Sequence, residues 1–432
     1  MPSRTISKIT QFLKTTITLT GSKSITNRAL LIAAMADGES RLNNVLFSDD
    51  TNACIDALKF LGVTISQDND VVCIKGICGK FPRQNTKVYC HDAGTVARFL
   101  TPLCAAQRGG EFYVFASTQL SNRPIKQLLD VLEQQGCKFS FENNPSGMPF
   151  TIETNGLAGG KIFIDSSKSS QFLSGLLMAA PFARQDSYIS TNANARAAYV
   201  NITLKMMQDF GVTVRISSDG SYVISASGND FPYKACDYNI EPDASTASYF
   251  FALGALHGEV SVQHLSRNSL QGDIKFLDVL EAMGCKIIYS DDSITVIKPA
   301  KLSGVTVNMQ HCSDTFMTIA CIAPFADSPT TITNIAHTRL QESDRIACIA
   351  MELEKLGMRT NTTDDSITIF PGVPKAVELD SHNDHRIAMS LALIGTKISG
   401  VMMNNADAVN KTCPDFFARL EKISVTAGSM DS

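Results

Sequence analysis

Apolar positions recur along this chain in two alternating registers. In five places a stripe with apolar residues three and four apart runs into a glycine: IDALKFLGVTI, LDVLEQQGCKF, LKMMQDFGVTV, LDVLEAMGCKI and MELEKLGMRT. The glycines are Gly62, Gly136, Gly211, Gly284 and Gly357, at spacings of 73 to 75 residues. A glycine at this point predicts a left-handed residue closing an amphipathic helix, a conformation that a β-carbon disfavours. A sixth copy, FFARLEKISVT, carries Ser424 where the glycine would stand. After most of these helices comes alternating sequence broken by a polar turn, as in VTISQDNDVVCIKG, CKIIYSDDSITVIKP and MRTNTTDDSITIFPG, which predicts β-hairpins.

A second set of helices keeps the same period. These begin at SKSITNRALLIAAM, DAGTVARFLTPLCAA, SSQFLSGLLMAAP, DASTASYFFALGAL, SDTFMTIACIAP and NDHRIAMSLALIG. Each opens on small or polar residues and continues apolar nearly all round, the mark of a helix buried on every side. An extended segment such as GEFYVFAS or GEVSVQHL then follows. The repeating unit is therefore buried helix, strand, amphipathic helix, hairpin. Six copies account for nearly all of the 432 residues, and two independent features sharing one spacing exclude chance.

One copy cannot cover its own apolar helix, whereas three around a common centre can. This predicts an α/β protein of two domains with three copies each, divided near FPYKACDYNIEPDAST: residues 21–239 form one domain, and 240–432 form the other. The first 20 residues precede the first buried helix and are expected to return to the second domain as a strand. Aligned helices would turn six polar N-termini toward a cleft: Ser24 (read as an N-cap), the Asp92–Thr95 turn, Ser169 and Ser170, Asp243 and Ser245, Ser313 and Asp314, and Asn383–His385.

Composition narrows the function. The net charge of -4 gives no general attraction to nucleic acid, and no apolar run approaches the ~18 residues that span a bilayer. Twelve scattered cysteines, without a C-x-x-C pair or a secretory signal, predict reduced thiols in a cytoplasmic protein. His382 and His385 lie three apart, but no further His or Cys cluster accompanies them, so no metal is expected. The stretch LTGSKSITNR resembles the end of a P-loop. That motif requires a glycine five residues before Gly-Lys-Ser, and KTTITLT has none. What remains is a helix start flanked by Lys23 and Arg28, a setting that favours an anion.

Against its negative net charge, the chain gathers Lys23, Arg28, Arg98, Arg123, Arg345, Arg386 and Lys411 at or near these helix starts and loops, with Asp314, Glu342 and Asp384 among them. Arginine suits bidentate carboxylate or phosphate recognition, and lysine acts as a mobile point charge. Such a site fits one or two highly anionic small ligands. No nucleophile–histidine pair is recognisable, so Asp314 and Glu342 read as proton-transfer groups.

In their order along the chain, GSKSITNRALL, DAGT, NRPI, SSQFLSGLLMAAP, SDTFMTIA, RLQESDRI, NDHRIAMSLAL and KTCPDFF resemble the motifs of the 5-enolpyruvylshikimate-3-phosphate synthase family. The resemblance covers essentially the whole chain. It implies a two-domain inverse α/β barrel of six βαβαββ units with parallel buried helices, and residues 1–20 joined to the C-terminal domain. The implied reaction moves the enolpyruvyl group of phosphoenolpyruvate to the 5-hydroxyl of shikimate 3-phosphate through a tetrahedral intermediate. It proceeds in the cytoplasm, in a monomer, without metal or organic cofactor, and is the target of glyphosate. Lys23, Ser24, Arg28, Ser169, Ser170, Gln171, Arg196, Tyr199, His337 and Gln341 match positions that hold shikimate 3-phosphate. Lys23, Gly94, Arg123, Gln171, Arg345, Arg386 and Lys411 match those around phosphoenolpyruvate, Arg123 and Lys411 on its phosphate, Arg345 and Arg386 on its carboxylate. Asp314 matches the acid that takes the 5-hydroxyl proton and also contacts the acceptor. Glu342 matches the acid assisting at the methylene carbon, and Lys23 completes the catalytic set.

Four positions depart from the common bacterial pattern: Asp92 for Asn, Arg196 for Ser, His337 for Asn, and Gln341 for Lys. Two rival readings are a UDP-N-acetylglucosamine enolpyruvyl transferase and a non-catalytic anion-binding homologue. The first has Lys-Asn where this chain has Lys23-Ser24; the second has no use for both acids and the four clamp cations.

Overall fold

The structure, a computed structural model, describes residues 3–142, 144–192, 197–228 and 230–426. It divides into an N-terminal unit, Gly21–Glu241, and a C-terminal unit, Met1–Thr20 with Pro242–Ser432. The division falls two residues beyond the boundary read from the sequence.

The six buried helices are Lys23–Met35 (α1), Gly94–Ala105 (α2), Ser170–Ala179 (α3), Ala244–His257 (α4), Phe316–Ile322 (α5) and His385–Lys397 (α6). Within the N-terminal unit α2 packs on α1 and α3; within the C-terminal unit α4, α5 and α6 all touch one another. Gly175 permits the α2–α3 contact, because a β-carbon there would stand 2.3 Å from the Arg98 carbonyl oxygen. Each unit has its own apolar core built around these helices. Some of the polar groups inside pair with one another: Asn27 donates to Thr95 at 2.7 Å, and Ser248, Thr318 and Ser390 form a hydroxyl chain across α4, α5 and α6. Pairing of this kind offsets the cost of burying them.

The amphipathic helices Asp49–Phe60, Lys126–Gln134, Ala197–Asp209, Phe276–Ala282, Arg345–Lys355 and Phe416–Thr426 follow at the expected places. All five repeat glycines take positive φ, from 81° at Gly357 to 102° at Gly136. The three quoted hairpins form as Thr64–Asp68 with Val71–Lys75, Lys286–Tyr289 with Ser293–Ile297, and Thr360–Thr362 with Ile367–Ile369.

Among the described residues, five sheets have four strands, with one parallel pair and two antiparallel pairs each. At both chain crossings a strand is exchanged. Leu13–Ile17 leads into α1 yet pairs in parallel with Gly258–Gln263 of the C-terminal unit, while Asp237–Asn239 leads into α4 yet pairs in parallel with Glu39–Asn43 of the N-terminal unit. The sixth sheet has three strands: Arg4–Thr5 pairs antiparallel with Met402–Asn404, which lies parallel to Glu378–Asp380. All twelve cysteines are free, and no helix among the described residues is long and apolar enough to cross a membrane.

Candidate active site

The helix starts in the N-terminal unit bring one group of the candidate residues together. Helix α1 begins at Lys23, and its N-cap is Ser22, not Ser24 as read from the sequence. The cap position must keep extended backbone angles, and Ser22 has them (φ -64°, ψ 131°), which leaves Ser24 inside the first turn. Lys23 Nζ lies 3.1 Å from Asp50 Oδ2 on the neighbouring amphipathic helix.

Arg28, one turn further, is turned into the unit and only 1% exposed. Its Nε donates to Thr203 Oγ1 at 2.7 Å, Nη1 to the Ser24 carbonyl at 2.8 Å, and Nη2 to the Tyr199 carbonyl and Ser174 Oγ. The guanidinium also lies over the Phe99 ring. Burial pushes its pKa down to about 10, with Tyr199 opposing, so it remains a cation at neutral pH. Arg28 thus ties α1 to α3 and to the Ala197–Asp209 helix that carries Tyr199.

Gly94 is the first residue of α2. A β-carbon here would approach Arg98 Nη1 to 2.9 Å and Arg123 Nη1 to 3.2 Å, so its absence makes room for two guanidinium groups. Arg98 donates through Nε and Nη2 to the Pro124 carbonyl and through Nη1 to Gln171 Oε1 at 2.8 Å. Gln171 is further fixed by Ser169, the N-cap of α3, which accepts from its backbone N–H at 3.3 Å; Ser170 is the first helical residue. Asp92 accepts from the Ser117 hydroxyl. Arg196 lies outside the described residues.

In the C-terminal unit the second group is an ion cluster around Arg345, which is 1% exposed. Its Nε donates to Asp384 Oδ2 at 2.8 Å, Nη2 to Glu342 Oε2 at 2.8 Å, and Nη1 to Asp314 Oδ1 at 3.2 Å and to Gln341 Oε1. Burial works against its charge, but Asp384, Glu342 and Asp314 outweigh burial and raise its pKa. Asp384 is the N-cap of α6, fully buried, and also accepts from the Arg386 backbone at 2.9 Å and from Ser343 Oγ. Arg386 Nη2 meets Asp314 Oδ2 at 3.1 Å, and Lys411 Nζ meets Glu342 Oε1 at 3.5 Å. Gln341 donates to Asp314 Oδ1 at 3.2 Å while accepting from Arg345. His337 Nε2 stands 2.7 Å from Ser313 Oγ.

Asp314 does not head a regular helix. It sits in a 3-10 turn, Gln310–Thr315, kinked at Cys312 ahead of α5. His382 Nε2 is 2.7 Å from Glu352 Oε1, and His385 Nδ1 is 3.7 Å from Asp384. Arginine and carboxylate groups in this density can bind small dianions by exchanging internal partners for ligand ones, and can move protons without a nucleophile.

The EPSP synthase (3-phosphoshikimate 1-carboxyvinyltransferase) family matches residues 7–420. The chain belongs to the EPSP synthase family. Family membership makes it a transferase. Among its relatives, the 3-phosphoshikimate 1-carboxyvinyltransferase 2 of Halalkalibacterium halodurans is 40% identical over 422 residues, 96% of this chain and 93% of the relative. The 3-phosphoshikimate 1-carboxyvinyltransferase of Nostoc punctiforme is 40% identical over 94% of this chain and 95% of its own length. In fold, the EPSP synthase of Acinetobacter baumannii superposes with a TM-score of 0.81 over 97% of both chains at 24% identity. The enolpyruvyl transferase NikO of Streptomyces tendae gives 0.79 over 98% of this chain and 96% of its own, at 18% identity.

Two acids of this EPSP synthase family member escaped the candidate set: Asp50 beside Lys23, and Asp273. The last is buried in the turn Gly272–Lys275 and accepts from the Ser245 hydroxyl. Burial first and Asp314 second push its carboxyl up to about 7, against Arg386 and Ser245. Asp384 had a legible signal as a residue opening α6. Asp273 lies between two apolar segments in LQGDIKFLDVL and has none, because its neighbours are remote in the chain.

Proposed function

We propose that this transferase moves the enolpyruvyl group of phosphoenolpyruvate to the 5-hydroxyl of shikimate 3-phosphate, releasing phosphate, as a cytoplasmic monomer that uses no metal or organic cofactor. The observation that supports this best is the cluster of Asp314 and Glu342 on Arg345, Arg386 and Lys411, two proton-transfer acids held by the cations an anionic substrate needs. Lys23, Ser24, Ser169, Ser170, Gln171, Arg196, Tyr199, His337 and Gln341 take the acceptor, with Arg28 contributing positive potential from behind α1. Arg123 and Lys411 take the phosphate of phosphoenolpyruvate, Arg345 and Arg386 its carboxylate, and Lys23, Gly94 and Gln171 complete that pocket.

Proton addition to the methylene carbon, assisted by Glu342, makes the neighbouring carbon electrophilic. The 5-hydroxyl oxygen bonds to it and yields its proton to Asp314. The tetrahedral intermediate then loses phosphate and one methyl proton, which restores the double bond. The cations stabilise charge that is already in place, and the acids act within general acid–base limits of ~10²–10⁴-fold each.

A steady-state assay of phosphate release tests this reading. Turnover with phosphoenolpyruvate and shikimate 3-phosphate, and none with UDP-N-acetylglucosamine, is the expected result. Turnover with the second acceptor alone, or with neither, overturns it.

A further inference from the structure

Four carboxyl groups and three cations meet in the C-terminal unit: Asp273, Asp314, Glu342 and Asp384 with Arg345, Arg386 and Lys411. Asp314, Glu342 and Asp384 each pair with at least one of the cations. Asp273 alone of the four has no ion pair among the described residues, although it is only 5% exposed. A buried carboxylate without a cation is costly, and the cluster as written carries one negative charge in excess.

Asp273 is nevertheless built into place. Ser245, in the first turn of α4, donates to its Oδ2. The preceding residue but one, Gln271, donates to the Pro242 carbonyl at 2.8 Å and accepts from the Ala244 N–H at 3.1 Å, which fastens the turn to the start of α4. The Gly272–Lys275 turn packs on α4 and on the Gln310–Thr315 turn that carries Asp314. The groups that act on Asp273 are Asp314 from that turn, Arg386 from α6, and Asp243 and Ser245 from the start of α4. The Cys312 thiol, pushed up to about 12 by burial and then by Asp273, stays neutral beside it; Lys275 and Asp278 act on the same thiol from Asp273's own segment.

We propose that Asp273 is a positioning residue for the general base: held by Ser245 in a turn packed against the one that carries Asp314, its charge sets how firmly Asp314 binds the substrate proton. The proposal rests on Asp314 being the acceptor of the 5-hydroxyl proton. Two guanidinium groups and an amide donate to Asp314, and such partners weaken a carboxylate as a base. A second carboxylate nearby opposes them. As Asp314 takes a proton and loses its charge, Asp273 gives up its own more readily, so the charge of the pair changes by less than one unit.

The test uses Asp273→Asn, which keeps the shape and can still accept from Ser245. kcat is expected to fall ~10-fold, with the KM of either substrate moving less than about twofold. The acidic limb of kcat against pH moves to lower pH by about one unit, since Asp314 loses the neighbour that made it basic. Equal loss at every pH with an unmoved limb marks a structural role and overturns the proposal, as does a profile identical to the parent's.

A second measurement does not depend on turnover. In enzyme labelled with ¹³C at Asp carboxyls, one resonance titrates near neutral pH, disappears in Asp273→Asn, and moves to lower pH in Asp314→Asn. Ser245→Ala, which removes a donor to the ionised form, moves it to higher pH. An Asp273 resonance indifferent to Asp314→Asn overturns the proposal. If instead the resonance responds but Asp314→Asn turns over normally, the general-base assignment fails, and the proposal fails with it for that stated reason.

Discussion

Asp314 illustrates what a single side chain can be asked to do. Its carboxylate accepts from Gln341, Arg345 and Arg386, which are side chains of remote segments, so a purely local capping role does not describe it. Asp314→Asn keeps the shape and removes the proton acceptor. kcat is expected to fall by ~10²–10⁴ with shikimate 3-phosphate binding largely retained, measured by steady-state kinetics beside calorimetric titration; an active variant refutes the assignment. Gly94→Ala acts through its neighbours. The new methyl would lie 2.9 Å from Arg98 and 3.2 Å from Arg123, so the guanidinium groups must shift. The KM for phosphoenolpyruvate should rise more than that for shikimate 3-phosphate, and an equal rise in both contradicts the placement of Arg123. Asp273 also marks stability. Its folded pKa of about 7 lies above the ordinary carboxylate value, so the folded state holds a proton that the unfolded chain releases. That contribution is complete at pH values below about 4 and is lost as pH rises through about 7. Asp273→Asn should therefore match the parent's melting temperature near pH 4 and exceed it by several degrees at pH 8, equivalent to a few kcal/mol at about 1.4 kcal/mol per unit; equal Tm values at pH 8 contradict the burial argument.

At the scale of elements, the start of α6 has an unusual support. His382 and Asn383 both take positive φ (52° and 56°), which side chains resist, immediately before Asp384 and Arg386. Fully buried Glu352, on the Arg345–Lys355 helix, holds this turn. Its Oε1 meets His382 Nε2 and Lys355 Nζ at 2.7 Å each, and its Oε2 accepts from the Asp380 N–H at 3.1 Å. Glu352→Ala removes all three bonds and should cost about 2–4 kcal/mol, read as a lower urea midpoint with unchanged slope. A variant as stable as the parent shows that the turn keeps its shape without Glu352. The helices obey a simpler rule: the five glycines with positive φ stop one set, and in the other set close approach at Gly175 permits the packing of α3 on α2.

For the whole molecule the relevant quantity is the charge that each unit holds. Lys23, Arg28 and Arg123 belong to the N-terminal unit; Arg345, Arg386 and Lys411 belong to the C-terminal one. High salt should weaken ligand binding more than it weakens folding, because the cores are apolar and the ligand sites are not.

Residues close together in the chain encode one part of this architecture. Helical stripes, terminal glycines, hairpin alternation and the 73-to-75-residue spacing depend on residues within a few positions of each other, so the repeat, the fold class and the candidate cations of the site could all be read directly. Even here the start of α1 was misplaced by two residues, because Ser22 and Ser24 are equally good caps and only the path of the backbone chooses between them. Tertiary structure alone decided which charges meet. Arg386 and Asp314 are 72 residues apart, and Arg345 and Asp384 are 39 apart, in segments whose local patterns contain no trace of each other. The same holds for the parallel pairing of Asp237–Asn239 with Glu39–Asn43, and for Asp273, whose significance arises only when its turn is pressed against the one bearing Asp314. Periodicity reports which face of an element is buried. It carries no information about which buried faces come together, and the energy of a charge depends on that.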